Sequence, residues 1–193
     1  MTGTQLNNRL NDYWEKAGEV SYSQAMYGSA SVERHVRQRF WCVAVEIADR
    51  IGIPHDGQVL DYGCGDGAFA NQVLAQHYRA IHGYDLAATA IERANAESAG
   101  PHLQFAVADL VALDHHSLPH YDGAFLIGIL HHIKATTPAV LRSLTRVTDK
   151  LVVLEPNGDY LVRKALEFTP SYRHAGEDSF RTREMAHIFE VSG

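Results

Sequence analysis

Val59-Leu60-Asp61-Tyr62-Gly63-Cys64-Gly65-Asp66-Gly67 is a short apolar run stopped by glycines, the pattern of a buried strand that ends in a tight turn. Glycines at 63, 65 and 67 permit backbone conformations closed to other residues and let a ligand approach the main chain. Beyond the turn, Phe69, Val73 and Leu74 recur at helical spacing, so Gly67–Tyr78 reads as a helix. A strand, a glycine turn and a helix in that order open a doubly wound sheet.

Working outward, the same alternation continues. Ala80–Tyr84 reads as a second strand, and the Ala-rich Ala87–Ala99 as a helix closed by Gly100-Pro101. Leu103–Ala108 is a third strand. Tyr121–Leu130 is a fourth, nearly all apolar, as expected for a strand buried on both faces. Thr137–Val147 is helical with Pro138 near its first turn, and Lys150–Leu154 is a fifth strand. The fold class is α/β, a Rossmann-like doubly wound and mostly parallel sheet with five strands evident. Ligands are expected outside the carboxyl ends of those strands.

Upstream, Val32, Val36, Phe40, Val43, Ala44, Ile47 and Ile51 form one stripe of an amphipathic helix over Ser31–Ile51, ended by Gly52 and Pro54. Leu6–Ala17 reads as a short helix and Gly18–Ser29 as a loop. Residues 1–54 are therefore taken as an N-terminal helical cap and 55–193 as the sheet domain. Downstream, Glu155-Pro156-Asn157-Gly158 reads as a turn, with helices over Tyr160–Phe168 and Thr182–Phe189.

Composition narrows the function classes. The chain has 193 residues, 46% hydrophobic and 21% charged, which suits one globular domain and excludes disorder. A net charge of −6 argues against a non-specific grip on nucleic acid, so none is expected. The longest apolar run, Ala124–Leu130, is far short of the roughly 20 residues of a membrane helix. The N-terminus lacks the shape of a secretory signal, and the two cysteines, Cys42 and Cys64, suit a reducing cytosol. A cytoplasmic location is expected. Histidines are many, but His115-His116 and His131-His132 are adjacent pairs that point apart, so no metal site is expected.

Acids follow the glycine turn in phase. Asp61 lies in the first strand, Asp85 ends the second and Asp109 ends the third, which brings three carboxylates to one edge of the sheet. Asp85 can accept both hydroxyls of a ribose. Taken singly, Asp85 or Asp109 reads first as a helix N-cap. Taken with the glycines, the three point to a nucleoside-type ligand. Gly63–Ala68 can be set onto the glycine pattern of nicotinamide enzymes. Against that stands the acid at 61, which suits a ligand with a cationic amino end better than a pyrophosphate.

On these residues the chain resembles the class I S-adenosylmethionine-dependent methyltransferases, across roughly residues 55–160. The glycine motif is similar to Val59–Gly67, the ribose-binding acid to Asp85, the adenine-contacting segment to Ala108-Asp109-Leu110, and the fourth-strand motif to Phe125–Ile133. The resemblance implies S-adenosylmethionine as cofactor and S-adenosylhomocysteine as product. It implies that Gly63, Gly65 and Gly67 face the methionine moiety and ribose, and that Asp61 helps hold the amino end. Leu86 would flank the adenine, Asp109 would accept its exocyclic amine and Leu110 would offer a backbone N–H. Ile127 and Gly128 would line the methionine end. Tyr13, Trp14, Tyr22, Tyr27 and Arg37 are N-terminal candidates for closing over the cofactor.

A sulfonium methyl group is already activated, so orientation and exclusion of water supply most of the catalysis. A base is needed only where the acceptor is protonated. His131 and His132, just past the fourth strand, are the catalytic candidates, since histidine titrates near neutrality. The alternative is that one satisfies local backbone groups while the other faces solvent. Gly128–His132 does not resemble the Asn/Asp-Pro-Pro-aromatic motif of enzymes that methylate adenine or glutamine amides, which with the acidic charge leans towards a small-molecule acceptor. Two other readings stay open: a nicotinamide-dependent oxidoreductase, and a non-catalytic methyltransferase-like binding protein. Members of the family usually finish with an antiparallel hairpin that completes a seven-stranded sheet, and no strand pair follows the fifth strand here. The expectation is a C-terminally truncated or unusually short member whose fifth strand is an exposed edge, open to homodimer pairing.

Overall fold

The computed structural model describes residues 15–16, 30–168, 172–173 and 178–192. Five strands form one sheet in the order β3-β2-β1-β4-β5. They are β1 (Gln58–Tyr62), β2 (Ala80–Asp85), β3 (Leu103–Val107), β4 (Gly123–Ile127) and β5 (Leu151–Leu154). Every pairing is parallel. The chain walks outward from β1 to β3, then returns to the other side of β1 with β4 and continues to β5. The switch point therefore lies between the carboxyl ends of β1 and β4, where open α/β sheets bind ligands.

Alternation in β1 and β4 sends side chains to two buried faces, which explains their continuous apolar character. One face carries Val59, Ile81, Phe105, Phe125 and Val152 and is covered by Ala44 and Ala48 of α1 (Ala30–Arg50), Phe69 and Ala70 of α2 (Ala68–Gln72) and Ile91 and Ala94 of α3 (Ala88–Ala96). The other carries Leu60, Tyr62, Ala124 and Leu126. It is covered by Val140, Leu141 and Leu144 of α4 (Thr137–Leu144), with Met185 and Ile188 of α6 (Thr182–Ser192) packed against the same cluster. A short α5 (Leu161–Leu166) precedes α6.

Two expectations are adjusted. The helix expected over Gly67–Tyr78 breaks at Val73, whose φ of −125° and ψ of −62° are not helical, and resumes as a 3-10 turn over Leu74–Gln76. The fourth strand is shorter than the apolar run Tyr121–Leu130. Gly128 turns the chain at φ 68°, and the next backbone N–H groups are taken by a carboxylate rather than by a neighbouring strand. The expected Leu6–Ala17 helix and Gly18–Ser29 loop lie outside the described residues apart from Glu15 and Lys16. Among the described residues no helix is long and apolar enough to cross a membrane, and no His/Cys/Asp/Glu group is arranged to hold a metal.

Candidate functional site

The glycine turn hangs on β2. Gly63 and Cys64 both donate their N–H to the Tyr84 carbonyl, at 2.8 and 3.1 Å. Gly63 sits at φ 83°, and a Cβ there would stand 2.6 Å from the Ile129 side chain. Gly67 sits at φ 71°, and a Cβ there would stand 2.8 Å from the Ala94 Cβ on α3. Only glycine fits either position. These contacts draw the β1 turn, α3 and the segment after β4 together.

Asp85 ties this turn to the start of α3. One of its carboxylate oxygens accepts the Gly65 N–H at 2.9 Å and the other the Ala87 N–H at 3.0 Å. Each carboxylate oxygen has more than one acceptor site, so hydroxyl donors can still be received. Leu86 follows, 39% exposed, beside this junction. The first turn of α3 has no capping side chain of its own. Glu15 supplies one from far upstream: its carboxylate accepts the N–H of Ala88 at 2.8 Å and of Thr89 at 3.1 Å, and the Thr89 hydroxyl at 2.9 Å.

Asp61 is the unusual member. It is 2% exposed, and its Oδ2 is buried with no hydrogen-bond partner. Burial, and then the neighbouring Asp85 charge, push its carboxyl up to about 7. The same crowding of acids acts on the Cys64 thiol, which is raised by burial and by Asp61, Asp85 and Asp66. A buried carboxylate without a partner is expensive, and a cationic donor is what would satisfy it.

Asp109 and Leu110 continue the rim one strand outward, where the Ala108 N–H donates to the Asp85 carbonyl at 2.8 Å. Asp109 is exposed, and its Oδ1 accepts the N–H of Val111 at 3.0 Å and of Ala112 at 3.4 Å, so it also stabilises its own turn. Leu110 is buried, and its carbonyl accepts the Tyr62 hydroxyl. On the opposite side of β1, Ile127 ends β4 and the Gly128 N–H donates to the Leu154 carbonyl at 2.8 Å.

The two candidate histidines differ. His131 is 3% exposed, and its Nδ1 donates to Glu155 Oε2 at 2.5 Å, with Glu155 itself 6% exposed. The other Glu155 oxygen accepts the N–H of Ile129 at 2.9 Å and of Leu130 at 2.7 Å. His131 Cε1 lies 4.0 Å from where a Gly128 Cβ would stand, so the ring flanks the end of β4. His132 is half-buried, its ring centroid 3.9 Å from that of His131. Sequence reasoning missed Glu155, reading it as part of a turn. It also missed Glu15. For Glu155 a signal existed, since an acid at a strand's carboxyl end is the placement that singled out Asp85. Tyr13, Trp14, Tyr22 and Tyr27 lie outside the described residues, and Arg37 belongs to α1.

Residues 59–150 match the family model of a methyltransferase domain. This stretch is a methyltransferase domain. It contains β1 to β4 and the whole rim from Asp61 to His132, and Glu155 reaches it from just beyond the match. Solved structures agree at the level of fold. The magnesium protoporphyrin IX methyltransferase ChlM of Synechocystis PCC 6803 with bound S-adenosylhomocysteine is 18% identical, with a TM-score of 0.71 over 97% of this chain and 89% of that one. The N-methyltransferase NodS of Bradyrhizobium japonicum WM9, also in complex with S-adenosylhomocysteine, is 14% identical, with a TM-score of 0.69 over 94% of this chain and 85% of that one. The cyclase SpnF is 17% identical, with a TM-score of 0.60 over 79% of this chain and 57% of that one. Comparison with curated protein sequences gives no match. The methyltransferase domain thus shares its architecture with proteins of different acceptors and, in SpnF, of a different named activity.

Proposed function

We propose that this methyltransferase domain binds S-adenosylmethionine along the rim of β1, β2 and β4 and transfers its methyl group to a small-molecule acceptor, leaving S-adenosylhomocysteine. The observation that carries the reading is the pairing of Asp85 with an unsatisfied Asp61. One carboxylate is set between the Gly65 and Ala87 N–H groups at the end of β2, where a ribose would be received. The other is buried without a partner and suits an ammonium group. The nucleotide-phosphate alternative fits poorly, because a pyrophosphate would crowd the acids Asp61, Asp66 and Asp85 gathered around the glycine turn. The family match supports methyl transfer over hydride transfer.

In this reading Gly63, Gly65 and Gly67 let the ligand lie against the main chain. Asp61 holds its amino end and Asp85 its ribose hydroxyls. Leu86 covers one face of the adenine, while Asp109 and the Leu110 N–H meet its edge. Ile127 and Gly128 flank the methionine end. The bound cofactor supplies a methyl group already activated on sulfonium, so the protein's part is to align the acceptor and exclude water. His131 or His132 takes a proton where the acceptor's nucleophile carries one. The buried His131–Glu155 pair fixes the first of these rings, and the half-buried His132 is the more accessible.

The acidic net charge favours a small acceptor over nucleic acid. The two free cysteines, Cys42 exposed and Cys64 buried, support a cytoplasmic site of action. The β5 edge, unpaired on its outer side among the described residues, supports homodimer pairing, which size-exclusion chromatography with light scattering would measure. Calorimetric titration with S-adenosylmethionine, S-adenosylhomocysteine and NAD, repeated on Asp85→Ala, tests the cofactor reading. Binding of neither adenosyl compound, or no effect of the substitution, would sink it. SpnF favours one second reading, cofactor binding in the service of a different reaction. Tight S-adenosylhomocysteine binding with no methyl transfer across an acceptor screen would select it.

A further inference from the structure

The start of α3 presents consecutive backbone donors, and two carboxylates divide them. Asp85 accepts the Ala87 N–H through Oδ1 at 3.0 Å and the Gly65 N–H through Oδ2 at 2.9 Å. Glu15 accepts the Ala88 N–H through Oε1 at 2.8 Å and the Thr89 N–H through Oε2 at 3.1 Å. The Thr89 hydroxyl lies 2.9 Å from both Glu15 Oε2 and the Glu15 carbonyl oxygen, so main chain and side chain at residue 15 are fixed on α3 together. The residue at the cap position itself is Ala87, which has no side-chain oxygen to offer. The positive end of a helix attracts a carboxylate within reach. Asp85 stands one amide short of the N–H groups that Glu15 occupies. Without Glu15, α3 competes with the glycine turn for Asp85: an oxygen drawn to Ala88 or Thr89 is withdrawn from Gly65.

Resting on the S-adenosyl reading above, we propose that Glu15 is a positioning residue for the cofactor: by capping α3 it keeps the Asp85 carboxylate turned towards Gly65 and the ribose hydroxyls. The distinction from an ordinary cap is where its loss is felt. A cap that only secures a helix end affects the amides of that end. A cap that also holds Asp85 in place affects Gly65, on the far side of the carboxylate, and any ligand hydroxyl received there. Gly63 and Cys64 serve as internal references, because their N–H groups donate to the Tyr84 carbonyl and not to Asp85. By reciprocity, a ribose that engages Asp85 strengthens the hold of Glu15 on α3.

The test combines amide hydrogen exchange of the ligand-free full chain with binding of S-adenosylhomocysteine and of its 2′-deoxy counterpart. In Glu15→Ala the Gly65 amide should exchange faster, while those of Gly63 and Cys64 keep their protection. Affinity for S-adenosylhomocysteine should fall about tenfold, the scale of one hydrogen bond to a charged group. Affinity for the 2′-deoxy ligand should fall clearly less, because one hydroxyl that Asp85 would receive is missing. Unchanged exchange at Gly65, or an equal loss for the two ligands, overturns the inference and leaves the S-adenosyl reading intact. Faster exchange at all three amides marks a general loosening of the turn and overturns it too. Failure of S-adenosylhomocysteine to bind the unaltered chain overturns both readings. Where the 2′-deoxy ligand binds too weakly to measure, the exchange result decides. If Glu15→Ala does not fold, Glu15→Gln, which keeps one acceptor oxygen, is measured in the same way.

Discussion

Glu155, the first residue beyond β5, accepts a hydrogen bond from His131 Nδ1 at 2.5 Å, and its two oxygens also receive the backbone N–H groups of residues 129, 130 and 131. One carboxylate thus holds both the turn that leaves β4 and the imidazole on that turn. Glu155→Ala strands these donors in a buried place. Removing one partner of a buried pair costs about 3–5 kcal/mol. Urea unfolding should show that loss, and Glu155→Gln, which keeps the shape but not the charge, should lose less. A loss for Glu155→Ala below about 1 kcal/mol, the scale of an ordinary exposed pair, would show that the carboxylate does not organise the turn.

The glycines of the turn should not be equivalent. A Cβ at residue 63 meets three atoms of Ile129 inside 3.0 Å, among them its Cβ at 2.8 Å, which moves only with the backbone, whereas one at residue 67 meets a single atom that close, the Ala94 Cβ at 2.8 Å. Both substitutions incur about 1–2 kcal/mol for the left-handed backbone. Overpacking adds a further penalty of about 1–3 kcal/mol, mainly at residue 63. Gly63→Ala should therefore unfold at lower denaturant than Gly67→Ala. The reverse order in paired unfolding curves would contradict the packing described for the segment after β4.

Asp61 gives a stability signature separate from any ligand. Its carboxyl is raised from 3.8 to about 7 in the folded protein, first by burial and then by Asp85. A raised acid is neutral in both states below its unfolded value, and its ionisation progressively penalises the folded state as pH climbs towards the folded value. Asp61→Asn cannot ionise, so its advantage should be absent near pH 4, grow up to about pH 7 and then level off. Above pH 7 the substitution should raise Tm by at least about 3 °C. A Tm difference that does not change with pH would mean that Asp61 is already satisfied.

Glu15 should behave in the opposite sense. Burial raises its carboxyl, but the hydrogen bonds from Thr89 and Ala88 outweigh that and hold it below its usual value. Its contribution is present above the ordinary glutamate pKa of 4.5 and fades as pH falls below it. Loss of a capping side chain costs about 1 kcal/mol. Glu15→Gln should therefore be destabilised at neutral pH and match the unaltered chain in acid. Hydrogen exchange at the Ala88 and Thr89 amides should quicken in the variant. Unchanged exchange there would place the cap elsewhere.

The parts of this architecture written in local pattern are legible in the sequence. The apolar run at Val59–Leu60, the glycines after it and the helical spacing of residues 137–147 each express a short-range rule, and the alternation of strands with helices gives a parallel sheet but not its strand order, which the packed structure supplies. Asp61 and Asp85 were legible because strand periodicity carries each to the same rim. Glu155 escaped because its partners lie 24 to 26 residues away, and a Glu-Pro pair after a strand looks the same whether the acid turns inward or outward. Glu15 escaped for the same reason at a separation of 73 and 74 residues. The break at Val73 was invisible because its neighbours keep a helical spacing of apolar residues. The depth of Asp61 was also beyond the sequence, since a carboxylate's lack of a partner is a property of the packed corner.

The carbonyl of Tyr84 receives two consecutive N–H groups from the glycine turn. The turn is therefore shaped by a peptide group on the neighbouring strand as well as by its own glycines. A one-residue slip between β1 and β2 would remove that acceptor and invert the faces of one strand relative to the other. Ligand affinity then works as an alignment gauge. A misregistered sheet can be compact and rich in secondary structure, yet the nucleoside will not recognise it. Binding thus certifies correct strand pairing in a way that compactness cannot.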